Sequence, residues 1–334
     1  MTIRILICDD SALARKQMAR TLPSDWDVQI RFASQGSEAL ELLHNQGADV
    51  LFLDLNMPVL DGYGVLEAIR KQELQVITVV VSGDIQPQAM SRVKALGAIG
   101  FIKKPIDTDE LTRLLTEYGL YQPNTGARQT PPEALPSLTL SLQDYLQELA
   151  NVAMGQASNL LARLLNVFIL QPVPKVAMIA RSELSMAISA VEGNSQYSAV
   201  CQGFVGAGVS GEALLLFSDS SIEAMARLLH YDEPDNPAPD MEILMDMSSI
   251  LFGAFLKGLG DQLDIHFGLD QPTILGQHQQ LEVLLEHHRQ QAEQLLCIEI
   301  PYELEQQHIS CNLLVLLTED SVNRLEQRLI YLTE

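Results

Sequence analysis

The sequence predicts an α/β fold for the first third of the chain and an α+β fold with an internal duplication for the rest. Three observations carry this expectation. Short apolar runs alternate five times with helical patterns over residues 1–121. Four of those runs close on an acid, a hydroxyl or a lysine. Beyond residue 136, apolar residues, Gly and Pro recur at an offset of 98.

Taken in order, strands are expected near 3–8, 28–33, 49–54, 76–81 and 99–102. Helices are expected near 11–22, 36–45, 62–71, 86–96 and 108–119. Alternation of this kind gives a doubly wound, five-stranded parallel sheet with helices on both faces. The first run ends in Asp9-Asp10, the third in Asp54, the fourth in Ser82-Gly83, and the fifth near Lys104-Pro105. In a parallel sheet these C-terminal ends share one edge, where such folds hold ligands. A stretch over 122–136, rich in Pro, Gly and polar residues, breaks the pattern and reads as a linker.

Clustered carboxylates repel one another, and a hard divalent cation such as Mg2+ relieves that repulsion. The same cation neutralises phosphoryl oxygens, while a lysine and a hydroxyl hold the others. One carboxylate is then free to act as a nucleophile towards phosphorus. This constellation resembles the receiver domain of two-component response regulators, of the CheY-like chemotaxis type, with a flavodoxin-like fold over residues 1–121. The resemblance implies that Asp54 is the phosphoacceptor. It implies that Asp9, Asp10 and Asp54, with the main-chain carbonyl of Asn56, hold Mg2+ or Mn2+. Ser82 and Lys104 would contact the phosphoryl group, and Phe101 matches the aromatic switch position. The phosphoryl source would be a sensor histidine kinase or a small phosphodonor.

The second domain is expected over 137–334, as repeats at about 137–232 and 235–334. Leu149 aligns with Met247, Gly155 with Gly253, and Pro174 with Pro272. Each copy opens with a long amphipathic helix, 140–166 or 239–264. Two β-rich runs follow, 197–205 and 212–217 in one copy, 294–304 and 309–317 in the other. Short helices at 221–230 and 321–331 close the copies. On the first long helix, Asp144, Glu148, Asn151 and Gly155 fall on one stripe beside an apolar stripe that must be buried.

The spacing Asp144-x3-Glu148-x2-Asn151-x22-Pro174 resembles the signature of the CheC/CheX/FliY phosphatases. The resemblance implies an enzyme that removes phosphate from phosphorylated CheY-like receivers. Asn151 would orient the attacking water, and Glu148 would pair with the phosphate-binding lysine of the substrate receiver. The second copy reads Glu242-x3-Asp246-x2-Ser249-x22-Pro272. Asp is one methylene shorter than Glu, and a Ser hydroxyl lacks the reach of an Asn amide. This copy is therefore expected to be structural.

Composition limits the alternatives. Hydrophobic residues make up 47% of 334, enough for sizeable cores. Residues 1–122 carry 12 Lys/Arg against 16 Asp/Glu, and residues 123–334 carry 9 against 27. An acidic second half argues against nucleic acid as its target, because phosphates attract basic side chains. Cys8, Cys201, Cys297 and Cys311 have neither CxxC nor metal spacing and suit a reducing cytosol. No signal peptide or membrane span is expected, and the location is expected to be cytoplasmic. The leading expectation is a receiver that regulates a receiver phosphatase, with a homodimer allowed. The alternatives are a non-catalytic receiver-binding or adaptor module, and a phosphate sink that clears its own receiver.

Overall fold

The computed structural model describes residues 2–122, 141–180, 196–231, 239–279, 294–304 and 309–333. The expected linker lies, from residue 123 on, outside the described residues. The chain divides into two compact units, Met1–Glu148 and Leu149–Glu334.

In the first unit, β1 (Ile3–Cys8), β2 (Val28–Ala33), β3 (Val50–Leu53), β4 (Ile77–Ser82) and β5 (Gly100–Lys103) form one parallel sheet in the order β2-β1-β3-β4-β5. Every pairing in it is parallel. The helices are α1 (Ala12–Thr21), α2 (Gly36–Gln46), α3 (Gly62–Lys71), α4 (Pro87–Ala95) and α5 (Thr108–Glu117). One face of the sheet buries Leu6, Leu51, Leu53 and Val80 against Ala39 and Leu43 of α2, Val65 and Leu66 of α3, and Val93 of α4. The other buries Ile5, Ile7, Phe52 and Val79 against Met18 of α1 and Leu111 and Leu115 of α5. Burial on both faces explains why the strands read as continuous apolar runs. All four residues of β3 are at most 1% exposed. Each such aliphatic side chain contributes roughly 1.5–3 kcal/mol through burial.

Local signals set where the helices begin. Ser11 Oγ accepts from Ala14 N–H, Asp61 Oδ1 from Gly64 N–H, and Asp107 Oδ1 from Asp109 and Glu110 N–H. These are N-caps that satisfy orphan donors of the first turn. Gly62 has a separate role: a Cβ there would lie 2.3 Å from the carbonyl oxygen of Asp54. The start of α3 therefore presses against the loop that carries Asp54, and only glycine fits.

In the second unit the long helices are α6 (Leu142–Leu165) and α8 (Asp240–Leu263), and the short ones α7 (Ile222–Leu228) and α9 (Glu319–Thr333). The first turns of α6, up to Glu148, belong to the first unit. Strands β6 (Lys175–Ala180), β7 (Tyr197–Gly206), β8 (Val209–Ser218), β9 (Gly268–Leu269), β10 (Thr273–Gln279), β11 (Gln294–Leu304) and β12 (Ile309–Thr318) build a seven-stranded sheet. Its order is β10-β7-β8-β12-β11-β6, with β9 on β7. The unit is thus mostly sheet. Neither edge strand was anticipated. Each crosses over: β6 pairs with β11 (Lys175↔Glu299), and β10 with β7 (Thr273↔Cys201). The two 24-residue helices α6 and α8 begin 98 residues apart, as do β6 and β10.

Two serine clasps follow the same exchange. Ser221 Oγ donates to the Ser310 carbonyl and accepts from Ser310 N–H. Ser321 Oγ donates to the Ser210 carbonyl and accepts from Ser210 N–H. Helix α6 meets α8 where a Cβ on Gly258 would lie 2.7 Å from the Ala153 carbonyl.

Helix α8 is more apolar than the sequence reading expected of any stretch. By length and composition it is apolar enough to cross a membrane, with 67% of its apolar window buried inside the structure. Asp240, Glu242 and Asp246 at one end and Asp261 at the other interrupt the sequence and hid the apolar stretch between them. That stretch supplies core residues such as Phe252, Phe255 and Leu259.

The clasps give a stability test. Ser221→Ala or Ser321→Ala removes two hydrogen bonds to the main chain of Ser310 or Ser210, each worth about 0.5–1.5 kcal/mol. Denaturant unfolding of each variant should show a similar loss. A loss in one and none in the other would contradict equivalent roles.

Candidate functional site

The carboxyl edge of the parallel sheet gathers the polar residues that close its strands. The strand order reverses between β1 and β3, so Asp9 and Asp10 face Asp54 across the switch point. One oxygen from each of these three carboxylates lies within 4.8 Å of the others. Lys104 follows β5, after which the Lys104–Pro105 peptide is cis. Its Nζ lies 2.7 Å from Asp9 Oδ2, 3.2 Å from Asp54 Oδ1 and 3.4 Å from Glu148 Oε1. Asp9, Asp54, Lys104 and Glu148 are all buried.

Main-chain amides fix the carboxylates. Ser11 N–H donates to Asp9 Oδ1 at 2.9 Å, and Asn56 N–H donates to Asp54 Oδ2 at 2.8 Å. Asp54 therefore keeps one oxygen tied to its own loop and turns the other towards Lys104. Ser82 is fully buried, and its Oγ accepts from Asp84 N–H at 3.2 Å. Phe101 on β5 is half-buried and packs on the core face that holds Leu53, Leu55 and Met57.

Three neighbours were missed in the sequence. Arg15 Nη1 donates to the carbonyls of Asp9 and Asp10, at 2.6 and 3.1 Å, and so holds the acidic pair in place. Asp84 Oδ1 accepts from both the main chain and the side chain of Gln86, shaping the turn into α4. The signal for that pair was present in Asp84-Ile85-Gln86-Pro87, an acid two residues before a helix-starting Gln-Pro.

Charge dominates the electrostatics. Burial raises Asp10 to about 7, helped by Asp54 and Glu148 and opposed by Lys104. Burial likewise pushes Asp9 well above the usual carboxylate range, with Lys104 opposing and Asp54 adding to the rise. Burial, with the Asp54 charge adding to it, raises the Asp84 carboxyl to about 6, against its bonds from Gln86. For Lys104 burial works against the charged form, but Asp54, Asp9 and Glu148 outweigh it and hold its pKa well above the ordinary value. Three carboxylates, those of Asp9, Asp54 and Glu148, share one ammonium, and Asp10 lies beside them. The donor set suits a hard divalent cation: the oxygens are closely grouped, and Asp10 Oδ1 is buried with no partner among the described residues.

On α6 the structure departs from expectation. Glu148 is not held out on a presented stripe; it is buried on Lys104 of its own chain. Asn151 is 5% exposed and already engaged, and its carbonyl accepts from Gln171 Nε2 at 3.2 Å. Gly155 is buried as well. The corresponding face of α8 is the open one. Asp246 there accepts from Tyr231 Oη at 2.6 Å, and Ser249 Oγ donates back to the Met245 carbonyl at 2.8 Å.

Comparison with known proteins agrees with the geometry of the first unit. The family model described as response regulator receiver domain matches residues 5–116. This segment is a response regulator receiver domain. A protein-glutamate methylesterase/protein-glutamine glutaminase of Moorella thermoacetica is 38% identical over 121 residues, covering 34% of this chain and 28% of that protein. One from Myxococcus xanthus is 38% identical over 144 residues, covering 40% of each. The chain thus spans well under half the length of these relatives. Among solved structures, the Vibrio cholerae chemotaxis protein CheY4 is similar over 35% of this chain and 98% of its own, at 28% identity and a TM-score of 0.32. The NtrX receiver domain from Brucella abortus is similar over 35% and 97%, at 31% identity and a TM-score of 0.32.

These relatives correct the expected activity. The enzyme name they carry is protein-glutamate methylesterase/glutaminase, not aspartyl-phosphate phosphatase. In the structure the two residues assigned to that activity are engaged within the chain. Glu148, which was to seek the lysine of a separate substrate receiver, is occupied by Lys104, and Asn151 is buried and partnered.

The raised carboxyls set a pH dependence. A carboxyl with a raised pKa holds its proton more tightly folded than unfolded. Its contribution is present at low pH and lost as pH rises through the folded value. With metal chelated, the melting temperature of the receiver should fall as pH rises through about 6 to about 7, the values of Asp84 and Asp10. Saturating Mg2+ should flatten that fall. A chelated protein that gains stability over this range would contradict the assignment.

Proposed function

We propose that this chain is a phosphorylation-regulated response regulator that accepts a phosphoryl group on Asp54. The supporting observation is a buried carboxylate at the switch-point edge, 3.2 Å from a buried ammonium and grouped with two further carboxylates. Asp9, Asp10, Asp54 and the Asn56 carbonyl would hold Mg2+ or Mn2+. When bound, the cation neutralises phosphoryl oxygens and the excess negative charge.

The chain's own groups do the rest. The Asn56 amide fixes the rotamer of Asp54. An Asp54 oxygen attacks phosphorus, the bond from phosphorus to the donor's leaving atom breaks, and a mixed anhydride forms on Asp54. Lys104 balances charge on the transferred group, and the Ser82 hydroxyl accepts or donates beside it. Phe101 is the aromatic position that responds. The donor is a sensor histidine kinase or a small acyl phosphate. The second unit, acidic and mostly sheet, serves as a non-catalytic binding or adaptor module in chemotaxis-type signalling.

Incubation with a radiolabelled acyl phosphate tests this reading. Wild type should take up label only with Mg2+ or Mn2+, and Asp54→Asn should take up none. Undiminished labelling of Asp54→Asn would overturn the assignment. Lys104→Ala should still fold in the presence of Mg2+ but accept label at least tenfold more slowly, a barrier increase of about 1.4 kcal/mol.

A further inference from the structure

Lys104 has three N–H donors and three carboxylate neighbours. They are Asp9 at 2.7 Å, Asp54 at 3.2 Å and Glu148 at 3.4 Å. A phosphoryl group arriving on Asp54 needs one of those donors. Asp9 has the shortest contact and is anchored again by Ser11 N–H. Asp54 is the acceptor itself. Glu148 has the longest contact, and its second oxygen, Oε2, is buried with no hydrogen-bond partner among the described residues. It is the least satisfied of the three and the one that gives way.

We propose that Glu148 is a built-in competitor of the phosphoryl group. In the unphosphorylated chain it occupies the third donor of Lys104 and slows phosphoryl acceptance by Asp54. Once Asp54 carries the phosphoryl group, Glu148 is expelled from Lys104 and residues 142–148 are released. This inference rests on Asp54 being the acceptor.

Charge gives the direction. A carboxylate that becomes an acyl phosphate gains negative charge and places it closer to Lys104, so the ammonium is drawn to the phosphoryl oxygens and Glu148 is repelled. The start of α6 survives the loss. Ser141 Oγ accepts from Asp144 N–H at 3.2 Å, and Ser141 N–H and Oγ donate to Asp144 Oδ2 at 2.8 and 2.7 Å. This reciprocal cap satisfies the first turn without Glu148.

The test uses the full chain with Mg2+ and a limiting acyl phosphate. Glu148→Gln keeps the shape and removes the charge; Glu148→Asp keeps the charge and loses the reach. Both should accept label faster than wild type, by about tenfold for a competition worth ~1.4 kcal/mol. In parallel, beryllofluoride serves as a non-covalent phosphoryl analogue, and hydrogen exchange is followed in 142–148. Exchange there should rise in wild type and stay unchanged in Asp54→Asn. Labelling of both Glu148 variants at or below the wild-type rate, or unaltered exchange in 142–148, would overturn the competition while leaving Asp54 as the acceptor. Label on Asp54→Asn would instead overturn the reading beneath it.

Discussion

One buried ammonium in contact with three carboxylates, with a fourth, Asp10, beside them, is the constraint on which the rest of the receiver depends. Lys104 is held charged by Asp54, Asp9 and Glu148 against the cost of its own burial. Without it, Asp9, Asp10, Asp54 and Glu148 would be an uncompensated buried cluster. With it, they still carry an excess of negative charge that only protons or a cation can relieve. The fold is arranged to keep this cluster together. Gly62 lets α3 press against the Asp54 carbonyl, and Arg15 ties the Asp9 and Asp10 carbonyls to α1.

The second unit solves a different problem. Each copy of the repeat has two long paired strands and one shorter strand that cannot stand alone. The shorter strand pairs with the other copy instead, and the Ser221 and Ser321 hydroxyls fasten each short-helix start to a strand of the other copy. The exchange leaves β8 and β12 at the centre, buried on both faces through Ala213–Phe217 and Leu313–Leu317. Neither copy would bury its share of this core by itself.

The sequence carried the receiver almost completely. Strands buried on both faces write themselves as unbroken apolar runs, and Ser11, Asp61 and Asp107 mark helix starts by chemistry that is local to a turn. The polar strand ends were legible for the same reason, since Asp54 after Val50–Leu53 has no packing role to explain it. The 98-residue offset was legible because Gly155 and Gly253, Pro174 and Pro272, and the apolar positions of the two long helices recur at it. What escaped was pairing at a distance. Nothing in Lys175–Ala180 states that it will join β11 and not β7, because the edge partner is chosen by tertiary packing. Nor does the Asp144, Glu148, Asn151 stripe say whether it faces water. Helical spacing reports a shared face, and what each side chain on it meets is set by another part of the chain, as Lys104 is for Glu148. The same blindness hid the apolar centre of α8 behind its acidic ends.

The most direct test of this account removes the ammonium alone. Lys104→Met keeps much of the length and loses the charge, and Mg2+ titration with unfolding measures the outcome. Removing one partner of a buried ionic cluster costs about 3–5 kcal/mol. The chelated variant should therefore be less stable by that order, bind Mg2+ more tightly than wild type, and recover most of the loss when the metal saturates. A chelated Lys104→Met protein as stable as wild type, with unchanged Mg2+ affinity, would show that the pocket does not depend on this charge.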